Sequence, residues 1–139
     1  MLLVLDTDVI VSAMRSPTGA SAELLRRVRQ KKISMGVSVA LALEYEAVCL
    51  RTEHVQAAGL VQTDALIFVA AVVALAVPIA VHYRWRPQLR DPSDEMVLEA
   101  AVNSKADALL TFNLRHFQPA ARSFGLQVQR PGEFLRSLR

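Results

Sequence analysis

Leu2-Leu3-Val4-Leu5-Asp6-Thr7-Asp8 is the stretch that decides the fold. Apolar residues run unbroken from Leu2 to Leu5 and stop at a carboxylate. A short apolar run bounded in this way reads as a buried strand. Asp6 then stands at the strand's carboxyl end, the edge where α/β sheets place their chemistry. Asp8 and Ser12 offer the cap or start of a short helix.

Working outward, Ala20–Lys31 has helical periodicity, with Ala20, Leu24, Leu25 and Val28 on one face and arginines on the other. Ile33–Val37 reads as a second strand, and Ser38 caps a helix whose apolar face includes Leu41, Tyr45 and Val48. Residues 53–62, around Gly59, read as a weak connection. Thr63 is placed as the cap of an apolar helix over 64–76, and Pro78 separates that helix from a third strand over 79–83. A basic and aromatic loop follows from Tyr83 through Trp85, Arg86 and Arg90. Asp91 as N-cap with Pro92 at the first helical position makes a strong helix start, and this helix is expected to stop near Lys105. Ala108–Thr111 is a fourth strand, 117–124 a helix ended by Gly125, and Leu126–Val128 a fifth strand. Pro131 opens a last helix. Strands alternating with helices predict an α/β fold with a parallel sheet covered on both faces. A length of 139 residues fits one domain spanning 1–139.

Composition narrows the possibilities. The chain is 53% hydrophobic and 21% charged, which excludes a disordered polar chain. Cys49 is the one cysteine, so an internal disulfide and a zinc site built mainly of thiolates are both excluded. The uncharged run Ala65–Val81 is interrupted by Pro78 and reads as a buried helix followed by a strand rather than a membrane span. The opening run lacks a basic head and is not read as a signal peptide. A cytoplasmic, reducing setting is expected.

The net charge of +3 is unevenly spread. Arg15, Arg26, Arg27, Arg29, Lys31 and Lys32 crowd residues 15–32 against Glu23, and Arg115, Arg122, Arg130, Arg136 and Arg139 crowd the C-terminal stretch against Glu133. The acids gather elsewhere, as Asp6 and Asp8, Glu44 and Glu46, then Asp91, Asp94 and Glu95.

In a parallel sheet the carboxyl ends of the strands share one edge. Asp6 ends the first strand, Glu44 lies in the helix after the second, Asp91 and Asp94 open the helix after the third, and Asn113 and His116 follow the fourth. All are expected to converge. Clustered carboxylates raise one another's pKa unless a cation neutralises them, and oxygen ligands of this kind suit Mg²⁺ or Mn²⁺. With basic flanks, the expected substrate is a polyanion with a phosphodiester backbone. Each residue also has a structural explanation. Asp8 and Asp91 are natural helix caps, Asp94 favours the helix dipole, Asn113 caps a turn, and His116 fits beside Phe117 in a core. Tyr83 and Trp85 could stack bases, although Trp85 reads better as packing. Asp64 and Asp107 precede the third and fourth strands and are placed at the opposite edge.

Four motifs in order make the chain resemble PIN-domain proteins, specifically the VapC-like toxin components of toxin–antitoxin systems. The first is Leu3-Val4-Leu5-Asp6-Thr7-Asp8-Val9-Ile10-Val11-Ser12-Ala13, and the second runs from Ser38 through Glu44-Tyr45. Arg90-Asp91-Pro92-Ser93-Asp94-Glu95 with Ala100-Ala101 resembles the third. The segment from Ala106 through Thr111-Phe112-Asn113-Leu114-Arg115-His116-Phe117 resembles the fourth. The resemblance covers essentially the whole chain. It implies a three-layer α/β/α sandwich with a central parallel sheet of about five strands, and an endoribonuclease that uses Mg²⁺ or Mn²⁺ on single-stranded RNA. Asp6, Glu44 and Asp94 match the family's acidic positions. Many relatives carry an aspartate at the place of Asn113 or His116, and usually an asparagine at the place of Asp8. Asp8 or Asp91 would then supply the missing charge.

In this reading Asp6 and Asp94 bind the metal, and Glu44 binds it or orients water. Asn113 and Thr111 hydrogen-bond ligands or substrate, His116 contacts a phosphate, and the arginines of 26–29 and 84–90, Arg86 and Arg90 among them, steer the substrate backbone. A small antitoxin protein and a homodimer through the apolar helix are the expected partners. One alternative is a non-catalytic RNA- or partner-binding module. Another is a phosphatase of the haloacid-dehalogenase type, suggested by the Asp-x-Asp spacing of Asp6 and Asp8.

Overall fold

The computed structural model describes residues 1–84 and 88–138. The elements run β1 (Leu2–Leu5), α1 (Thr7–Arg15), α2 (Ala20–Arg29), β2 (Ser34–Val37), α3 (Val39–Cys49), α4 (Thr52–Ala57), α5 (Gln62–Leu75) and β3 (Val77–Pro78), then α6 (Pro92–Asn103), β4 (Ala108–Leu110), α7 (Leu114–Ser123), β5 (Val128–Gln129) and α8 (Pro131–Ser137). The strands form one parallel sheet in the order β3-β2-β1-β4-β5, flanked by helices in a three-layer α/β/α arrangement. From β1 the chain first builds outward through β2 to β3, then crosses to β4 and β5 on the other side. That reversal beside β1 opens a crevice beyond the carboxyl ends of β1 and β4, the place where open α/β sheets bind ligands.

Burial follows the predicted apolar runs. Leu3, Val4 and Leu5 of β1 and Ala108, Leu109 and Leu110 of β4 are buried, as parallel strands covered on both sides require. Leu3, Val4 and Leu5 pair in register with Ala108, Leu109 and Leu110. From α3 the core receives Leu41, Tyr45 and Cys49, while Val48 is only half-buried. The Tyr45 hydroxyl donates to the Leu5 carbonyl, tying α3 to the last residue of β1. Helix α6 lies across β1, β2 and β4.

Several boundaries differ from the sequence expectation. The stretch 53–62 contains α4 rather than a plain connection. Helix α1 starts at Thr7, capped by Asp6 and not by Asp8 or Ser12. Helix α5 starts at Gln62 after Val61, so Thr63 is not its cap. Only Ala65, Val69 and Val72 of α5 are buried, and Leu66 and Ile67 face solvent, so the helix is buried on one side only. The third strand is Val77–Pro78, earlier than 79–83. It stands at the sheet edge, where a proline's missing N–H costs no ladder bond. Helix α7 begins at Leu114 and accommodates Pro119 in its interior. The fourth and fifth strands and the ends of α2 and α6 shift by one or two residues, with Lys31 and Lys105 in the left-handed conformation past those helix ends. Among the described residues no helix is long and apolar enough to cross a membrane.

Candidate active site

Asp6 is the first residue past β1, and each of its oxygens is held. Oδ1 accepts from the Thr7 N–H at 2.7 Å, which caps α1, and Oδ2 accepts from the Thr111 hydroxyl at 2.7 Å. Thr111 follows β4 directly, so the parallel pairing of β1 with β4 sets these two residues side by side. Thr111 is fully buried, and its hydroxyl is committed to Asp6 rather than open to the cavity. The Asn113 N–H donates to the Thr111 oxygen at 2.9 Å, completing a short chain of hydrogen bonds.

Asp8 lies two residues past Asp6, in the first turn of α1, and its Oδ2 accepts from the Phe112 N–H at 3.1 Å and from the Asn113 side-chain amide at 3.1 Å. Its Oδ1 is buried and has no hydrogen-bond partner. Asp91 caps α6 by accepting from the Ser93 N–H at 2.9 Å. Three residues on, Asp94 receives the His116 ring at 3.2 Å.

A cavity of about 310 Å³ joins these groups, lined by Asp6, Asp8, Glu44, Asp91, Asp94 and Asn113 among others. The expected convergence of Asp6, Glu44, Asp91, Asp94 and Asn113 is therefore present, with Asp8 added. Arg51 and His54 complete the lining on the α4 side. Neither is marked by the sequence reading: His54 falls in the stretch 53–62 read as a connection, and Arg51 is the residue that precedes α4. The usable signal is Val55, the one buried residue of α4, which anchors that turn to the core. A second cavity of about 430 Å³ adjoins the first through Asp91 and Asp94 and is lined by Arg90, Arg115 and His116. The segment carrying Arg90 is fixed by buried Glu95, which accepts from the Gln88 and Leu89 N–H groups at 2.7 and 2.9 Å. Arg86 and Trp85 lie outside the described residues. Asp107 accepts from the Leu2 N–H at 2.7 Å, at the opposite edge as expected. Asp64 is exposed and absent from both linings.

Electrostatics mark the acidic cavity. Burial pushes the Asp8 carboxyl up to about 7, with the Asp6 charge adding to it. Burial likewise raises Asp6, against the opposing hydrogen bonds from Thr111 and Thr7. Asp94 rises to about 6 through burial and then the charges of Asp6 and Asp91, while His116 pulls it back. The folded chain thus holds carboxylates together that resist ionising without a counter-charge. Among the described residues no three His, Cys, Asp or Glu side chains are gathered closely enough to enclose a metal ion as they stand. The donor chemistry nevertheless suits a hard divalent cation, being all oxygen. The orphaned Asp8 Oδ1 is the kind of buried acceptor that a cation would satisfy.

Comparison with known proteins follows the same lines. The family model described as PIN domain matches residues 2–115. Among solved structures, the chain is similar to a chain in the crystal structure of VapBC2 from Rickettsia felis bound to a DNA fragment from their promoter. The two share 13% identity at a TM-score of 0.66, over 94% of this chain and 98% of the other. No functionally curated protein matches the sequence.

Proposed function

This chain belongs to the PIN-domain family, and on that premise we propose that it is a metal-dependent endoribonuclease acting on single-stranded RNA as the toxin of a toxin–antitoxin pair. The observation that carries the reading is the acidic cavity at the carboxyl ends of β1 and β4, which holds Asp6, Glu44 and Asp94 together. The structural likeness to a chain of a VapBC complex supports the toxin assignment and a small antitoxin partner.

Asp6, Glu44 and Asp94 would hold Mg²⁺ or Mn²⁺, with Asp8 or Asp91 as a further ligand. Such an ion supplies Lewis-acid polarisation of a phosphoryl oxygen and a lowered pKa for water. The remaining work falls to the chain itself. Thr111 and Thr7 fix both oxygens of Asp6, so Asp6 presents its lone pairs without rotating. That hold also disfavours a phosphatase in which Asp6 is a free nucleophile. Glu44, half-buried on the α3 side, orients water across the cavity. His116 steadies Asp94. Arg90 and Arg115 in the adjoining cavity, and Arg51 on the α4 side, attract the phosphate backbone, which makes binding salt-dependent. A second copy packs on the exposed Leu66 and Ile67 of α5.

Two observations favour a binding module instead: Asn113 and His116 are not acidic, and among the described residues the carboxylates are not gathered closely enough to enclose an ion. A cleavage assay on a mixed single-stranded RNA pool with Mn²⁺, Mg²⁺ or EDTA separates the two. Metal-dependent cutting by wild type that is lost in Asp6→Asn and Asp94→Asn supports the nuclease. No cutting together with no Mn²⁺ binding supports the module.

A further inference from the structure

We infer that Asp8 is a direct ligand of the divalent cation through its Oδ1, and that Asn113 is the residue that positions it. The inference rests on the metal-site reading above and deepens it by choosing between Asp8 and Asp91.

The two oxygens of Asp8 have opposite surroundings. Oδ2 collects the Phe112 N–H and the Asn113 amide, each at 3.1 Å. The Thr111 hydroxyl lies at 3.5 Å, but its hydrogen is committed to Asp6, so it adds little. Oδ1 is buried and unpartnered. Buried polar atoms are nearly always satisfied, and an exception calls for an ion or other partner. With Oδ2 pinned from one side, Oδ1 is the oxygen left with free lone pairs. Asp8 also lines the same cavity as Asp6, Glu44 and Asp94.

Asp91 lacks these features. It is exposed, and its carboxylate is explained by the N-cap bond to Ser93. Asn113 acts from the turn after β4 through two separate contacts. Its backbone N–H donates to Thr111, which holds Asp6, and its side-chain amide donates to Asp8. One residue therefore sets the spacing of two carboxylates.

The test is Mn²⁺ titration by calorimetry on the intact protein, with thermal melts to confirm folding. Asp8→Asn is isosteric and keeps an acceptor for the Phe112 N–H. It is expected to weaken Mn²⁺ binding by more than about tenfold, and Asn113→Ala by about tenfold, as for other partners of metal ligands. Asp91→Asn is expected to keep the wild-type affinity, because its carboxylate is explained by the cap of α6. Wild-type affinity in Asp8→Asn, alongside lost binding in Asp6→Asn, overturns this inference and leaves the nuclease reading standing. Absent Mn²⁺ binding by wild type overturns both.

Discussion

His116 Nδ1 stands 3.2 Å from Asp94 Oδ2, joining the first turn of α7 to the third position of α6 where the two cavities meet. The contact lowers the Asp94 carboxyl against the burial that raises it. A metal competes with a proton for that carboxylate. His116→Ala is therefore expected to move Mn²⁺ binding to higher pH and to reduce RNA cleavage by about tenfold. Calorimetric titrations at several pH values check this, and an unchanged pH profile would show that the imidazole has no hold on Asp94.

The raised carboxyls also predict how the metal-free protein responds to pH. Asp8 titrates near 7 and Asp94 near 6 in the folded chain, against an ordinary value of 3.8. The folded state therefore holds protons that the unfolded chain has released. Their stabilising contribution is complete below about pH 4 and is lost as pH rises through 6 and 7. Melting in EDTA should occur at lower temperature at pH 8 than at pH 5, and Mn²⁺ should raise it more at pH 8. Asp8→Asn should flatten the dependence. Equal slopes for Asp8→Asn and wild type would sink the assignment.

Tyr45 predicts a change in stability separable from chemistry. It is fully buried and its hydroxyl donates to Leu5 O, next to Asp6. Tyr45→Phe removes one donor and no carbon. The expected loss is about 1–2 kcal/mol of stability, the size of a buried hydrogen bond deleted from one side. Urea denaturation measures it. Cleavage per folded molecule should fall little, because Thr7 and Thr111 still hold Asp6. A large fall would mean that the hydroxyl helps to place that carboxylate.

Much of this organisation is legible in the residues, for identifiable reasons. Strands β1 and β4 are short apolar runs buried on both faces, so composition marks them directly. Asp91-Pro92 announces α6 because capping chemistry is local. Reading β3 at 79–83 fails because its two residues pair only with β2, and tertiary contact decides where pairing starts. Gly36 supplies the missing signal: a Cβ there would come within 2.9 Å of Ile79 Cγ1, so Ile79 packs over β2 as a residue flanking the strand. Helix α4 is one short polar segment with a single core contact, Val55, too little for periodicity to register. That gap hid His54, and with it the turn that Arg51 leads into. The shared edge of the acidic positions was legible in the order of the strand ends. The hydrogen bond from Asn113 to Asp8 was not, since it joins side chains 105 positions apart.

Helix α5 carries the prediction about assembly. Leu66 and Ile67 are 45% and 62% exposed on an otherwise apolar helix. If a second copy covers them, Ile67→Asp should be monomeric by light scattering at concentrations where wild type is a dimer, and its melting temperature should lose the concentration dependence that dimerisation gives wild type. A wild-type protein that is monomeric at high concentration would remove this interface.

Strand order has a consequence for how the molecule comes apart. Opening fluctuations start at margins with few protected amides and reach the centre only in global unfolding. The margins here are β3 and β5, of two residues each, while β1 and β4 lie inside the sheet. Amide hydrogens of Val4, Leu5 and Asp6 should therefore be among the slowest to exchange with solvent deuterium, and those near Val77 and Val128 among the fastest. Asp6 is thereby tied to the lifetime of the whole fold, so fraying at either side leaves it in register with Thr111.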